Sequence, residues 1–192
     1  MESNKTNKKE KTKKKSVIMG KRSDFERVER DFYPTPLEAV LPLKAFLKEN
    51  TKFSEPCAGD GRLVKHLESL GHTCVWQSDI EPQADFIAER SVFDVTETNG
   101  ADVFITNPPW NRKILHPLIE HLSDVAPTWL LFDADWMHTK QSIPYLHRLK
   151  KIVSVGRVKW IEDSKSTGKD NCCWYLFHLT NQLKAAEFYG RY

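Results

Sequence analysis

Cysteine is scarce in this chain. The 192 residues include four, Cys57, Cys74, Cys172 and Cys173, and no two form a C-x-x-C pair. That absence excludes the usual zinc and dithiol frameworks, and thiols set in or beside apolar runs read as reduced residues of a cytosolic protein. No metal site is expected. No apolar run approaches the roughly 18 residues that a membrane span needs, and the N-terminus lacks the apolar segment of a signal peptide. A soluble cytoplasmic protein without membrane contact is therefore expected. Internal repeats are also missing. Residues 1 to 22 have almost no large apolar side chains; they hold eight Lys and one Arg against two Glu, a local charge of +7 in a chain whose total is +3. Such a segment cannot offset the entropy of ordering, so a disordered basic tail over 1–22 is expected, followed by one domain over 23–192. A lysine run attracts polyanions by releasing counterions; a solubilising tail, or a localisation signal in a nucleated cell, is the equal alternative.

What is present is globular composition, 40% hydrophobic and 11% aromatic, enough for the core of one domain. From residue 23 onward strand and helix patterns alternate, the mark of a parallel sheet wrapped by helices. Thr35-Pro36-Leu37-Glu38 predicts a helix start, with Thr35 as cap, Pro36 at the first helical position and Glu38 closing a capping box; Pro42 limits that helix. Strands are predicted at Lys52–Glu55, Thr73–Gln77, Ser91–Val95, Asp102–Thr106 and Thr128–Asp133. Helices are predicted after Gly61 as far as Gly71, and over Pro82–Arg90, Ile114–Ser123 and Ser142–Lys150. Two last strands, Ile152–Val158 and Cys172–Leu179, predict a closing antiparallel hairpin.

Three constellations carry chemistry. The first, Glu55-Pro56-Cys57-Ala58-Gly59-Asp60-Gly61, lies where the first strand turns into a helix, the place nucleotide-type cofactors take in open α/β sheets. Gly59 and Gly61 permit close approach of the backbone. Glu55 suits a ligand carrying an ammonium group and would repel a pyrophosphate, which argues against NAD and ATP. The second is a set of acids: Asp79 at the end of the second strand is placed to accept from both hydroxyls of a ribose, with Ile80 beside it, and Phe93-Asp94 is placed to meet an adenine ring and its amino group. Singly, each acid reads as a helix cap or a solvated charge. In order around a glycine turn, they read as a nucleoside site.

The third is Thr106-Asn107-Pro108-Pro109-Trp110, directly after the apolar strand Val103-Phe104-Ile105. Two prolines force a rigid extended loop. The Asn107 side-chain carbonyl and the Pro108 backbone carbonyl are two fixed acceptors for one amino group, and holding its hydrogens frees a lone pair otherwise delocalised into an aromatic ring. Trp110 offers a face on which an unpaired or flipped base stacks; on this reading any aromatic ring would serve.

These residues resemble the S-adenosylmethionine-dependent amino-group methyltransferases, particularly the small phage or bacterial DNA adenine-N6 type, over roughly residues 31 to 179. Asn107-Pro108-Pro109-Trp110 is similar to the family's catalytic tetrapeptide, and Phe32-Tyr33-Pro34-Thr35-Pro36 to the upstream motif that wraps the methionine end of the cofactor. The resemblance implies a Rossmann-like three-layer sandwich with a seven-stranded, mostly parallel sheet. It implies S-adenosylmethionine held by Tyr33, Thr35, Glu55, Pro56, Cys57, Ala58, Gly59, Gly61, Asp79, Ile80, Phe93, Asp94 and Asn107, with Asn107, Pro108, Pro109 and Trp110 catalytic. The implied partner is nucleic acid, DNA first and RNA second, in the cytoplasm, or the host cytoplasm for a phage protein. A glutamine-amide protein acceptor, or a noncatalytic nucleic-acid-binding relative, stays open. What departs from the pattern is the lack of any insertion long enough for a target-recognition region. The longest candidates are Asn111–Pro127, Asp135–Tyr145 and Ile161–Asn171, with Trp136, His138, Trp160 and Lys169 as surface candidates; core packing is the first expectation for each Trp.

Overall fold

The computed structural model describes residues 32–161, 167–180 and 185–191. The basic tail over 1–22 lies outside the described residues. Among the described residues eight strands form one sheet in the order β3-β2-β1-β4-β5-β7-β6-β8. The strands are β1 (Lys52–Glu55), β2 (Thr73–Asp79), β3 (Ala88–Glu89), β4 (Val103–Thr106), β5 (Thr128–Asp133), β6 (Leu149–Arg157), β7 (Asn171–Phe177) and β8 (Glu187–Tyr189). β3, β2, β1, β4 and β5 run parallel, and β7 pairs antiparallel with both β5 and β6.

Helices cover both faces, as the three-layer expectation required. β4 is buried at all four positions, and its side chains alternate between two cores with the period of two that a strand imposes. Val103 and Ile105 join α1 (Leu37–Val40), the 3-10 turn Leu41–Phe46 and α2 (Arg62–Ser69) on one face. Phe104 joins α3 (Arg112–Val125) on the other, where Phe132, Trp136, Tyr175 and Phe177 are also packed. The chain leaves β1 toward β2 on one side and returns to β4 on the other. The carboxyl ends of β1 and β4 therefore flank a topological switch point, where open α/β sheets bind ligands.

Several expectations are corrected. The sheet has an eighth strand beyond the seven expected: β8 pairs with β6, and its Glu187 takes the Lys151 ammonium. No helix forms over Pro82–Arg90. That segment has one buried side chain, Ile87, while Phe86 stands 60% exposed, so it has no apolar stripe to bury, and its Gln83 N–H donates instead to the Gly59 carbonyl at 2.9 Å. Ser91–Val95 is not a strand. Ser91 caps a 3-10 turn over Val92–Asp94, its hydroxyl accepting from the Phe93 N–H at 3.3 Å, and the third strand falls earlier, at Ala88–Glu89. The helix expected from Ser142 is a 3-10 helix over Lys140–Arg148, and β6 begins at Leu149. α3 runs over Arg112–Val125, longer at both ends than the helix expected over Ile114–Ser123, with Pro117 inside it. The capping box at Thr35 does not form either: Pro36 occupies the cap position without a side-chain bond, and Glu38 accepts from the Lys159 N–H at 2.9 Å.

Because the β2–β3 and β3–β4 crossovers carry no α-helix, that end of the sheet is thinly covered. The Arg90 guanidinium lies over the Trp76 ring of β2, 5.5 Å from its centroid.

Candidate active site

Glu55 ends β1, and the loop after it is stitched to β2: the Ala58 N–H donates to the Ser78 carbonyl at 2.9 Å and the Gly61 N–H to the Ala58 carbonyl at 2.7 Å. Gly59 and Gly61 take φ of +55° and +76°, where a side chain is strained. Space is short as well. A Cβ on residue 59 would stand 2.7 Å from the Phe32 ring, so Phe32 lies directly on the glycine turn.

Glu55 is 1% exposed and its Oε2 has no hydrogen-bond partner among the described residues. Burial, and then the carboxylates of Asp79 and Asp60, push its carboxyl well above the usual carboxylate range. A buried carboxylate with an orphaned oxygen is costly unless a cation answers it. The ammonium of an amino-acid-bearing cofactor is such a cation, and so the donor set fits S-adenosylmethionine. In the same loop, burial and the Asp79 carboxylate push the Cys57 thiol far above its usual range.

Asp79 ends β2 and is already committed to the loop. Its Oδ2 accepts from the Gly59 N–H and its Oδ1 from the Glu81 N–H, both at 2.8 Å. A carboxylate oxygen keeps a second lone pair after one such bond, which leaves capacity for ribose hydroxyls. Ile80 beside it is 58% exposed. Phe93 and Asp94 stand on the 3-10 turn rather than at a strand end, and Arg90 ties that turn to the site: its N–H donates to the Asp79 carbonyl at 2.8 Å, and its guanidinium to the Asp94 carbonyl. Phe93 is 42% exposed, with its ring 5.7 Å from that of His121 on α3.

Asn107 follows β4 directly. Its Nδ2 donates to the Thr35 hydroxyl at 3.1 Å and the Tyr33 carbonyl at 3.3 Å, and its Oδ1 accepts from the Trp110 indole N–H at 3.2 Å. The same indole proton reaches the Leu131 carbonyl of β5 at 3.1 Å. Pro108 is buried, while Pro109 and Trp110 are half-buried. The structure thus brings together Tyr33, Thr35, Asn107 and Trp110, and separately Glu55, the glycine turn and Asp79. Thr35, read from sequence as a helix cap, instead holds the Asn107 amide.

Other residues pack around the loop. Phe32 covers Gly59, and Arg112 pairs with Asp133 at 2.8 Å at the start of α3. Trp160 stands edge-on to Trp110, with ring centroids 5.8 Å apart, and 6.5 Å from Tyr33. A polar connection with two aromatic neighbours 50 or more residues away in sequence carries no local signal for such contacts. Trp136 is fully buried and donates to His116 Nε2 at 3.0 Å, so it belongs to the core. Among the described residues no group of three or more His, Cys, Asp or Glu could hold a metal, and no helix is long and apolar enough to cross a membrane.

Solved structures share this architecture. A provisionally assigned RNA methyltransferase from Pyrococcus horikoshii is 17% identical at a TM-score of 0.55, covering 82% of this chain and 92% of that one. A provisionally assigned class I S-adenosylmethionine-dependent methyltransferase from Listeria monocytogenes is 12% identical at 0.51, covering 87% and 68%. The M protein of the type I restriction enzyme EcoKI is 12% identical at 0.52, covering 83% of this chain and 48% of that one. No protein-family model and no curated protein matches the sequence. What these likenesses establish is the fold, the Rossmann-like fold of S-adenosylmethionine-dependent methyltransferases.

Proposed function

We propose that this chain transfers a methyl group from S-adenosylmethionine to the exocyclic amino nitrogen of adenine in a polynucleotide, DNA in the first instance. The observation that carries the reading is the placement of Asn107. It extends from the carboxyl end of β4, the strand adjoining β1, and its amide is held by bonds at both ends. Two structural neighbours, one described as an RNA methyltransferase and one as a restriction-enzyme M protein, support nucleic acid as the acceptor class.

S-adenosylmethionine supplies an electrophilic methyl group on a sulfonium. Glu55 would hold the ammonium of the cofactor, the Gly59–Gly61 turn would lie against its methionine portion, Asp79 would accept from the ribose hydroxyls, and Phe93 and Asp94 would meet the adenine. Asn107 and the Pro108 carbonyl accept from the two hydrogens of the target amine. An amine so held is drawn toward pyramidal geometry, and its lone pair would form the new N–C bond as the methyl–sulfur bond breaks and its electron pair returns to sulfur; S-adenosylhomocysteine would leave as the thioether and one N–H proton would go to solvent. No strong base is required.

Asp79→Ala is expected to weaken cofactor binding by 10-fold or more, because a charged acceptor for two hydroxyls contributes about 1.5–3 kcal/mol. The substitution also removes the bond that fixes Gly59, so the loss should reach the upper part of that range; calorimetric titration measures it. Deleting residues 1–22 should leave cofactor affinity unchanged, weaken polynucleotide binding and flatten its salt dependence, since these residues hold eight Lys and one Arg, whose contacts with phosphates would release counterions, and none of the proposed cofactor residues. Equal salt slopes for the two chains would contradict this. The acceptor itself is tested with oligonucleotides in which each adenine is replaced by purine, which lacks the amino group; transfer should vanish.

A further inference from the structure

The two ends of an asparagine amide are nearly the same shape and opposite in hydrogen-bonding sense. Asn107 can offer an acceptor to an amine only when its carbonyl, and not its NH2, faces the acceptor pocket. Three neighbours distinguish the ends. The Tyr33 carbonyl and the Thr35 hydroxyl accept from Nδ2, and the Trp110 indole, a donor with no acceptor capacity, donates to Oδ1. Turned over, the amide would set its NH2 against the indole N–H and its carbonyl against the Tyr33 carbonyl. The indole is itself held in place, because its proton is shared with the Leu131 carbonyl of β5.

We propose that Trp110 is a positioning residue for methyl transfer, whose indole N–H locks the Asn107 amide with its acceptor oxygen presented to the substrate. This goes beyond ring stacking and rests on the reading of Asn107 as the amine's acceptor. A carbonyl oxygen has two lone pairs, so the bond from Trp110 occupies one and leaves the other for the amine. Phe or Tyr would keep a ring face and lose the N–H at this point of the ring. The sequence expectation that any aromatic serves is therefore revised: tryptophan has a specific task here. Thr35 performs the complementary task at the other end of the amide.

The test replaces Trp110 in the full-length chain with β-(3-benzothienyl)alanine, in which sulfur stands for the N–H and the ring keeps its size. Turnover on an adenine-containing oligonucleotide should fall on the order of 10-fold, the effect of losing one oriented hydrogen bond. KM for the oligonucleotide and the dissociation constant for S-adenosylmethionine should stay within twofold. Trp110→Phe should show the same loss in kcat, and Thr35→Val a similar one. A benzothienyl chain that turns over at the wild-type rate overturns the proposal. A readout independent of turnover is the Trp110 indole proton, which should exchange slowly with solvent and shift in the NMR spectrum of Asn107→Ala. An indole proton that exchanges freely and ignores Asn107→Ala also overturns it. A wild-type chain that transfers no methyl group to any acceptor, while this proton still responds to Asn107→Ala, would sink the methyltransferase reading and leave the lock standing.

Discussion

Asn107→Ala should lower turnover by roughly 10²- to 10³-fold while cofactor affinity stays within a few-fold. Losses of that size are typical when a preorganised group aimed at developing charge is removed. Asn107 sits at the end of β4, whereas the residues proposed to hold the cofactor lie chiefly in the loop after β1 and at the end of β2. Its bonds to Tyr33 and Thr35 also mean that the alanine variant frees the upstream segment from the loop, so a modest loss of cofactor affinity accompanies the larger loss of rate. Single-turnover measurements with saturating cofactor separate the two. A wild-type rate in Asn107→Ala would make the loop a structural turn.

Glu55→Gln should act in the opposite sense on stability and on binding. The buried carboxylate is unfavourable in the free protein, and replacing it with a neutral isostere should raise the thermal midpoint by a few degrees, about 1 kcal/mol corresponding to roughly 2–4 °C at this chain length. Cofactor affinity should fall about 10- to 100-fold, the effect of losing one charge-assisted bond. The pH dependence follows from the raised value of this carboxyl. Unfolded, Glu55 ionises in the usual carboxylate range; folded and free of cofactor, it keeps its proton to higher pH. Folding therefore takes up a proton between those two values, and stability falls as pH rises through that window. Cofactor binding runs the other way. An ammonium beside Glu55 favours the carboxylate, so binding below the raised value releases a proton and affinity grows with pH until Glu55 is already ionised. Calorimetry in buffers of different ionisation enthalpy reads that proton, and Glu55→Gln should abolish it. An unchanged proton release would remove Glu55 from the cofactor site.

The parts of the fold that were legible in the sequence are those where a residue type has one conformational use. Gly61 and Gly71 bracket α2 as expected, and the two prolines after β4 lie in a loop without helix or strand. The alternation Val103-Phe104-Ile105 needed only the period of a buried strand. The stretch from Pro82 to Val95 was illegible because its local preferences were outweighed: Gln83 and Arg90 donate their N–H groups to Gly59 and Asp79 across the sheet, and a helix would have consumed them. β8 has three residues and is held by partners on β6, so no pattern of its own announced it. The strand-end positions of Glu55, Asp79 and Asn107 were legible from spacing. The partner of Asn107 was not, because Thr35-Pro36-Leu37-Glu38 is as good a capping box on paper as any that forms. Only the approach of the upstream segment to the loop, 72 residues away in sequence, gives the Thr35 hydroxyl its other use. Trp110 shows the same limit: its ring is legible, and the direction of its N–H is a property of the fold.

The central claim is tested most directly by incubating the full-length chain with methyl-labelled S-adenosylmethionine and separate pools of duplex DNA, single-stranded DNA, RNA and protein, then hydrolysing each pool and identifying the labelled product. The account predicts label in a DNA pool, carried on the N6 position of adenine and absent when Asn107→Ala replaces the wild type. Label on a protein glutamine amide, on a cytosine, or in no pool at all would contradict it.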